Sequence, residues 1–98
     1  MKPELVVSTQ AEDDARAGYQ WYESNTPGLG EEFLAHVRAS LDTITETPLL
    51  YGRAIEDLRR APVKRFPYGV FYRADDYRVF VVGILHSSRD LGVLKGRE

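Results

Sequence analysis

Between residues 68 and 86 the chain carries two strand-forming runs, YGVFYRA and YRVFVVGILH, separated only by Asp75-Asp76. Two such runs joined by so short a turn close on each other as an antiparallel hairpin, although the glycine that such turns favour is missing here. The second run, 77–86, is apolar on both faces: alternation puts Val79, Val81, Gly83 and Leu85 on one side and Phe80, Val82 and Ile84 on the other. A strand with two apolar faces lies inside a sheet and needs a neighbour on each flank. The first run supplies one neighbour, with Tyr68, Val70 and Tyr72 facing one way and Phe71 and Arg73 the other. The remaining candidate for the other flank is the N-terminal segment ELVVS, residues 4–8.

The rest of the chain reads as what covers this sheet. Thr9 followed three residues later by Glu12 fits a capping box at a helix start, with Asp13 and Asp14 in the first turn. Ala11, Ala15, Gly18 or Tyr19, and Tyr22 then share one face, and small residues early on it let the helix lie close to the sheet. Pro27-Gly28 stops that helix. A second helix spans 29–46, with Phe33, Leu34, Val37, Leu41 and Ile44 as its apolar stripe and Pro48 beyond its end. The short link between them predicts an antiparallel helical hairpin. Residues 48–57 read as a loop, with Leu49, Leu50, Tyr51 and Ile55 tucked under the hairpin. Residues 58–65 read as a strand whose Pro62 places it at an edge or at a bulge. The fold class is therefore α+β: a two-layer β-α-α-β-β-β arrangement, a helical hairpin on one face of a small, mostly antiparallel sheet.

At 98 residues the chain makes a single domain. It has no cysteine, which removes disulfides, thiolate zinc sites and cysteine nucleophiles. No apolar run reaches bilayer-spanning length, and the N-terminus has no signal-peptide core, so a cytoplasmic protein without membrane contact is expected.

Net charge of −2 hides an asymmetry. Residues 1–58 hold four basic and eleven acidic side chains, a balance of −7; residues 59–98 hold nine basic and four acidic, a balance of +5. Either the halves neutralise each other, or the basic half presents a surface to an anionic partner. The basic set is Arg59, Arg60, Lys64, Arg65, Arg73, Arg78 and Arg89, with Arg78 the outlier beside the hairpin turn. Phe66, Tyr68, Tyr72 and Tyr77 are interleaved with it as stacking surfaces, although for Phe66 and Tyr72 packing in a small core is the favoured reading. No glycine-rich phosphate loop, paired-histidine metal spacing or nucleophile elbow is present, and no cofactor or metal is expected. His36 falls within the second helix as a surface or boundary residue. His86 ends the central strand three residues before Arg89, where it could shuttle protons or simply tie the strand end to a backbone carbonyl.

The run RRAPVKRFPY at 59–68, then Tyr72-Arg73, a short turn, a valine-rich strand and HSSRD at 86–90, resembles the RelE/ParE superfamily of toxins from type II toxin–antitoxin systems. Ala11, Asp14, Tyr19, Trp21-Tyr22-Glu23, Pro27-Gly28-Leu29-Gly30 and Phe33 extend the likeness over nearly the whole chain. The resemblance implies the same fold and a hetero-oligomer with a cognate antitoxin, a small acidic protein with a DNA-binding N-terminus. It also implies one of two targets: DNA gyrase for ParE-like members, or mRNA on the ribosome for RelE-like nucleases. Target- or antitoxin-binding residues would be Arg59, Arg60, Lys64, Arg65, Tyr68, Arg73, His86 and Arg89. In a metal-independent nuclease His86 would be acid or base, with Arg65, Arg73 and Arg89 on the scissile phosphate. The nuclease members' C-terminal tyrosine is missing after Tyr77, and the pI near 5.7 is low for a ribosome-binding protein, so the likeness is closer to ParE. A toxin relative that only binds antitoxin is a third reading.

Overall fold

The computed structural model describes residues 2–97. The elements are β1 (Glu4–Val7), α1 (Thr9–Asn25), α2 (Leu29–Glu46), β2 (Arg53–Ile55), β3 (Leu58–Val63), β4 (Tyr68–Ala74), β5 (Arg78–His86) and a 3₁₀ turn (Leu91–Leu94). They form one five-stranded sheet in the order β1-β5-β4-β3-β2. As the apolar pattern of β5 requires, this strand lies between β4 and β1, antiparallel to the first and parallel to the second.

Several local expectations change. The first helix is capped by Ser8, whose hydroxyl accepts from the Ala11 amide, so the box between Thr9 and Glu12 does not form. Asp14 consequently lies beyond the first turn and bonds the sheet instead, accepting from the Ile84 amide at 3.0 Å. The second helix starts at Gly28 in the left-handed region (φ 89°), with no capping side chain of its own. Glu23 of α1 reaches across and accepts from the Gly28 and Gly30 amides, both at 3.0 Å, which welds the turn of the helical hairpin.

Residues 48–57 are not all loop: Arg53–Ile55 add a short edge strand beside the start of β3. Leu49 and Leu50 are not tucked in but 69% and 62% exposed; Tyr51 packs under the helices as expected, whereas Ile55 packs on the opposite face of the sheet. The strand 58–65 ends at Val63, because Arg65 adopts φ 70° in the turn to β4. Pro62 lies past the reach of β2, and its carbonyl takes a hydrogen bond from Ser40 of α2, so the missing N–H breaks no ladder. The hairpin turn is shifted by one residue, with Asp75 bonded to Arg78 and its carboxylate accepting from the Tyr77 and Arg78 amides.

The largest difference is in β5. Its register against β4 shifts, Phe71 facing Gly83 while Tyr72 faces Val81, so Val82 is an extra, bulged residue. The alternation changes phase there. Val79, Val81 and Ile84 join the helix-side core, and Val82 and Leu85 go to the opposite face with Phe71, Leu58 and Leu94. Leu85 and Gly83 therefore do not share a face with Val79 and Val81. The helix-side core holds Ala11, Tyr22, Phe33, Val37, Ile44, Phe66 and Tyr72; Phe66 and Tyr72 are core aromatics. The far face is partly covered by the 3₁₀ turn, whose Leu94 is 3% exposed.

Candidate functional site

The basic residues of the second half do not form one face. Strand register separates them. Arg59 pairs with Tyr72 on the helix side, where its guanidinium is tied to the Tyr51 carbonyl at 2.7 Å. Arg60 and Arg73 stand on the opposite face with their guanidinium carbons 6.0 Å from the Phe71 and Phe80 ring centres. Arg73 also pairs with Asp57 at 3.2 Å. Lys64 and Arg65 lie in the turn after β3, Lys64 beside Ser40 and Thr43 of α2 and Arg65 on Glu32, whereas Tyr68, His86 and Arg89 line a groove beside α1; the Ser87 amide, donating to the Pro67 carbonyl at 2.7 Å, joins the two turns.

Part of the charge asymmetry is used inside the molecule. Among the described residues six ion pairs form, and four of them join the acidic first half to the basic second: Arg65–Glu32, Arg73–Asp57, Arg78–Glu4 and Arg97–Asp14. Three of those four are surface pairs of little energetic weight. The fourth, Arg97–Asp14, has side chains only 15% and 12% exposed. The expected shared cationic face does not form: Arg65, Arg73, Arg78 and Arg97 are paired with carboxylates, and Arg59, Arg60, Lys64, Arg89 and Lys95 belong to no ion pair among the described residues.

His86 is on the helix side, exposed, edge-on to Tyr68 with ring centres 5.3 Å apart. The Ser88 amide donates to His86 Nδ1 at 3.0 Å, which requires a lone pair there and leaves the ring proton on Nε2. This ring is a hydrogen-bond donor toward solvent, with its accepting nitrogen already committed to the turn. Tyr68 runs back into the aromatic core, between Tyr22 and Phe33. Its phenol is pushed up by burial first, then by Tyr22 and Asp14, with Arg89 opposing. It stays protonated. Tyr77, by contrast, is 80% exposed at the far end of the sheet.

Three residues that matter here carried no functional assignment from the sequence. Trp21 projects from the polar side of α1 with 61% of its surface exposed, next to His86 and Arg89. Its one signal was position: it falls off the Ala11–Gly18–Tyr22 stripe. Asp14 and Arg97 meet beside β5, and nothing local in the sequence links residues so far apart. A groove of about 290 Å³ runs between α1 and the end of β5, lined by Asp13, Asp14, Ala17, Gly18 and Trp21 of α1 and by Tyr68, Ile84, His86 and Arg89 of the sheet and its end. Among the described residues no group of metal-ligating side chains occurs, and no helix is long and apolar enough to cross a membrane.

Residues 5–91 match the family model described as the ParE toxin of type II toxin–antitoxin system, parDE. No curated protein matches the sequence at a significant level. Among solved structures, a chain of the chromosomal ParDE TA system from P. aeruginosa superposes with a TM-score of 0.77 at 16% identity, covering 87% of this chain and 96% of that one. At that identity the likeness is one of fold.

Proposed function

This chain belongs to the ParE toxin family of type II toxin–antitoxin systems, and from that premise we propose that it inhibits DNA gyrase by binding and is neutralised by a cognate antitoxin. The observation that carries the binding reading over mRNA cleavage is the position of His86. Its Nδ1 is held by the Ser88 amide, and Arg73 lies on the other side of the sheet, engaged with Asp57. A nuclease of the expected kind needs a proton-transfer group and cations around one phosphate. Here the four candidates, Arg65, Arg73, His86 and Arg89, divide between two sides of the sheet, and Arg65 is drawn toward Glu32.

What remains suits contact over an area. Trp21 and Arg89, side by side along the groove, offer a flat aromatic and a cation; the far sheet face offers Arg60 and Arg73 above Phe71 and Phe80. Aromatic and arginine side chains are the usual anchors of protein interfaces. The test is a supercoiling assay with purified gyrase beside an mRNA cleavage assay on translating ribosomes. Inhibition of supercoiling, reversed by antitoxin, with intact mRNA, is the expected result. Codon-associated cleavage with unaffected supercoiling would replace this reading with the nuclease, and silence in both would leave an antitoxin-binding relative.

A further inference from the structure

Leu49 and Leu50 stand in solvent on a loop that the sheet holds in place. They lie between α2 and β2, 69% and 62% exposed, yet the backbone around them is tied on both sides. The Thr47 amide ends α2 on the Thr43 carbonyl, and the Leu50 amide donates to the Thr47 carbonyl at 3.1 Å. Tyr72, wholly buried, donates its phenol to the Pro48 carbonyl at 2.7 Å. Arg59 holds the Tyr51 carbonyl, also at 2.7 Å, and the Arg60 amide holds that of Gly52 at 3.2 Å. Backbone groups committed in this way leave the two leucines little freedom of place. The turn is fixed from within while its own side chains stay in water.

The loop stands at the end of the sheet where β4 turns into β5. Leu49 lines a shallow depression of about 310 Å³ there with Pro3, Ala74, Glu46, Asp75 and Asp76. Tyr77 follows Asp76 with 80% of its surface exposed, and alternation from Val79 puts it on the helix side of the sheet, as the loop is. The three most exposed large apolar side chains among the described residues, Tyr77, Leu49 and Leu50, therefore project from one end of the molecule, opposite to that of Trp21 and His86. Exposed apolar groups gathered in this way mark contact surfaces. Their rim is acidic: three carboxylates and no cation line the depression. Lys2 reaches Glu46 at 3.7 Å, and Arg78 nearby is paired with Glu4. The Asp75 carboxylate accepts from the amides of its own turn, which keeps it ionised, and Asp76 belongs to no ion pair among the described residues.

We infer that this end of the molecule, with Leu49, Leu50 and Tyr77 as apolar anchors beside Glu46, Asp75 and Asp76, is a docking surface for a protein that presents an apolar recess bordered by basic side chains. Charge chooses the occupant. The phosphates of a nucleic acid would meet carboxylates with no cation between them. A second copy docked by the same surface would bring its own Asp75 and Asp76 against these. A protein surface of opposite sign meets neither obstacle. Anchors already positioned by a fixed loop lower the ordering cost of binding, and the rim carboxylates guide the approach. The inference rests on the gyrase reading proposed above and makes gyrase that protein: the leucine loop enters its recess, and its lysine or arginine side chains meet Asp75 and Asp76.

The test is the supercoiling assay with purified toxin and gyrase holoenzyme, run on three variants: Leu49→Ala combined with Leu50→Ala, Tyr77→Ala, and Asp76→Lys. All three change exposed side chains, so each should keep the melting temperature of the free toxin and its affinity for purified cognate antitoxin. The toxin concentration that halves supercoiling should rise at least about ten-fold for the double leucine variant and for Tyr77→Ala, as loss of a buried apolar anchor requires. Asp76→Lys should raise it about three-fold at low salt and less at high salt, because a rim charge acts mainly on the approach. Wild-type potency in all three would overturn the surface while leaving gyrase inhibition in place. Weakened apolar variants beside an unchanged or stronger Asp76→Lys would overturn the basic-bordered recess. If the wild-type toxin does not inhibit supercoiling, the gyrase reading fails and the proposal falls with it. Unchanged inhibition with weaker antitoxin binding would assign the surface to the antitoxin, and unchanged inhibition with weaker self-association would assign it to a second copy of this chain; either result overturns the proposal.

Discussion

The Asp14 carboxylate and the Arg97 guanidinium meet at 2.7 Å across 83 positions of sequence, and together they close the hydrogen bonding of the central strand where its neighbour stops. The contact ties α1, β5 and the C-terminal segment into one unit. Asp14 serves two partners, the Ile84 amide and Arg97; Arg97 serves Asp14 and the Val82 carbonyl.

Removing either residue should therefore destabilise the fold, Asp14 the more. Asp14→Ala leaves both a backbone amide and a largely buried guanidinium without partners, and should cost about 3 kcal/mol. Arg97→Met keeps an apolar stem over Gly83 and leaves Asp14 its bond to Ile84, and should cost about 1–2 kcal/mol. Urea titrations of the two variants check the order. An equal or reversed ranking would mean that the carboxylate does not serve the strand edge.

Gly83 sits opposite Phe71 at the bulge, where an added Cβ would lie 2.6 Å from Leu94 Cδ2 and 3.0 Å from Arg97 Nη1. Gly83→Ala should push the C-terminal segment off the far sheet face at a cost of about 1–3 kcal/mol, with faster proteolysis after Asp90. Unchanged stability and proteolysis would show that Leu94 can give way freely.

His86→Ala should leave both the fold and the inhibition of supercoiling largely in place. The ring is exposed, and its hydrogen bonds go to Ser88 in its own turn. Growth arrest on induction of the variant is the measurement. Complete loss of toxicity in a folded protein would return His86 to a chemical role.

Acidification should loosen the β4–β5 turn before the rest of the sheet. The Tyr77 and Arg78 amides, donating to the Asp75 carboxylate, hold it below its ordinary value of 3.8. A carboxyl depressed in the folded state contributes its stability in full above the unfolded value and loses it as pH falls through the folded one. Exchange of the Tyr77 and Arg78 amides, corrected for intrinsic rates, should therefore stay flat down to about pH 4 and accelerate below it. Acceleration beginning near neutrality would implicate another group.

Saturating antitoxin should raise the melting temperature, since a ligand that binds only the native state stabilises it. A null shift with demonstrated purity of both proteins would count against the pairing.

The layout of this molecule was legible in its sequence wherever one local pattern decides the matter. The doubly apolar run ending at His86 demanded a central strand, and only the N-terminal segment was left to flank it. The stripes Ala11–Gly18–Tyr22 and Phe33–Val37–Ile44 chose the buried helix faces, and Pro48 set the end of the second helix. Gly83 was visible as a glycine inside a strand, but the bulge depends on how β4 and β5 slide past each other, so the faces of Leu85 and Val82 waited on the packed sheet. The same holds for the cations. A list of arginines records charge but not direction; strand phase and the turn at Arg65 turned Arg59, Arg60 and Arg65 three different ways. Which carboxylate each arginine meets, and that Asp14 and Arg97 jointly replace a missing strand, depends on distances between elements remote in sequence. Those distances exist only once the helices have docked on the sheet, because burial fixes the spacing and backbone groups left open by it then select their partners.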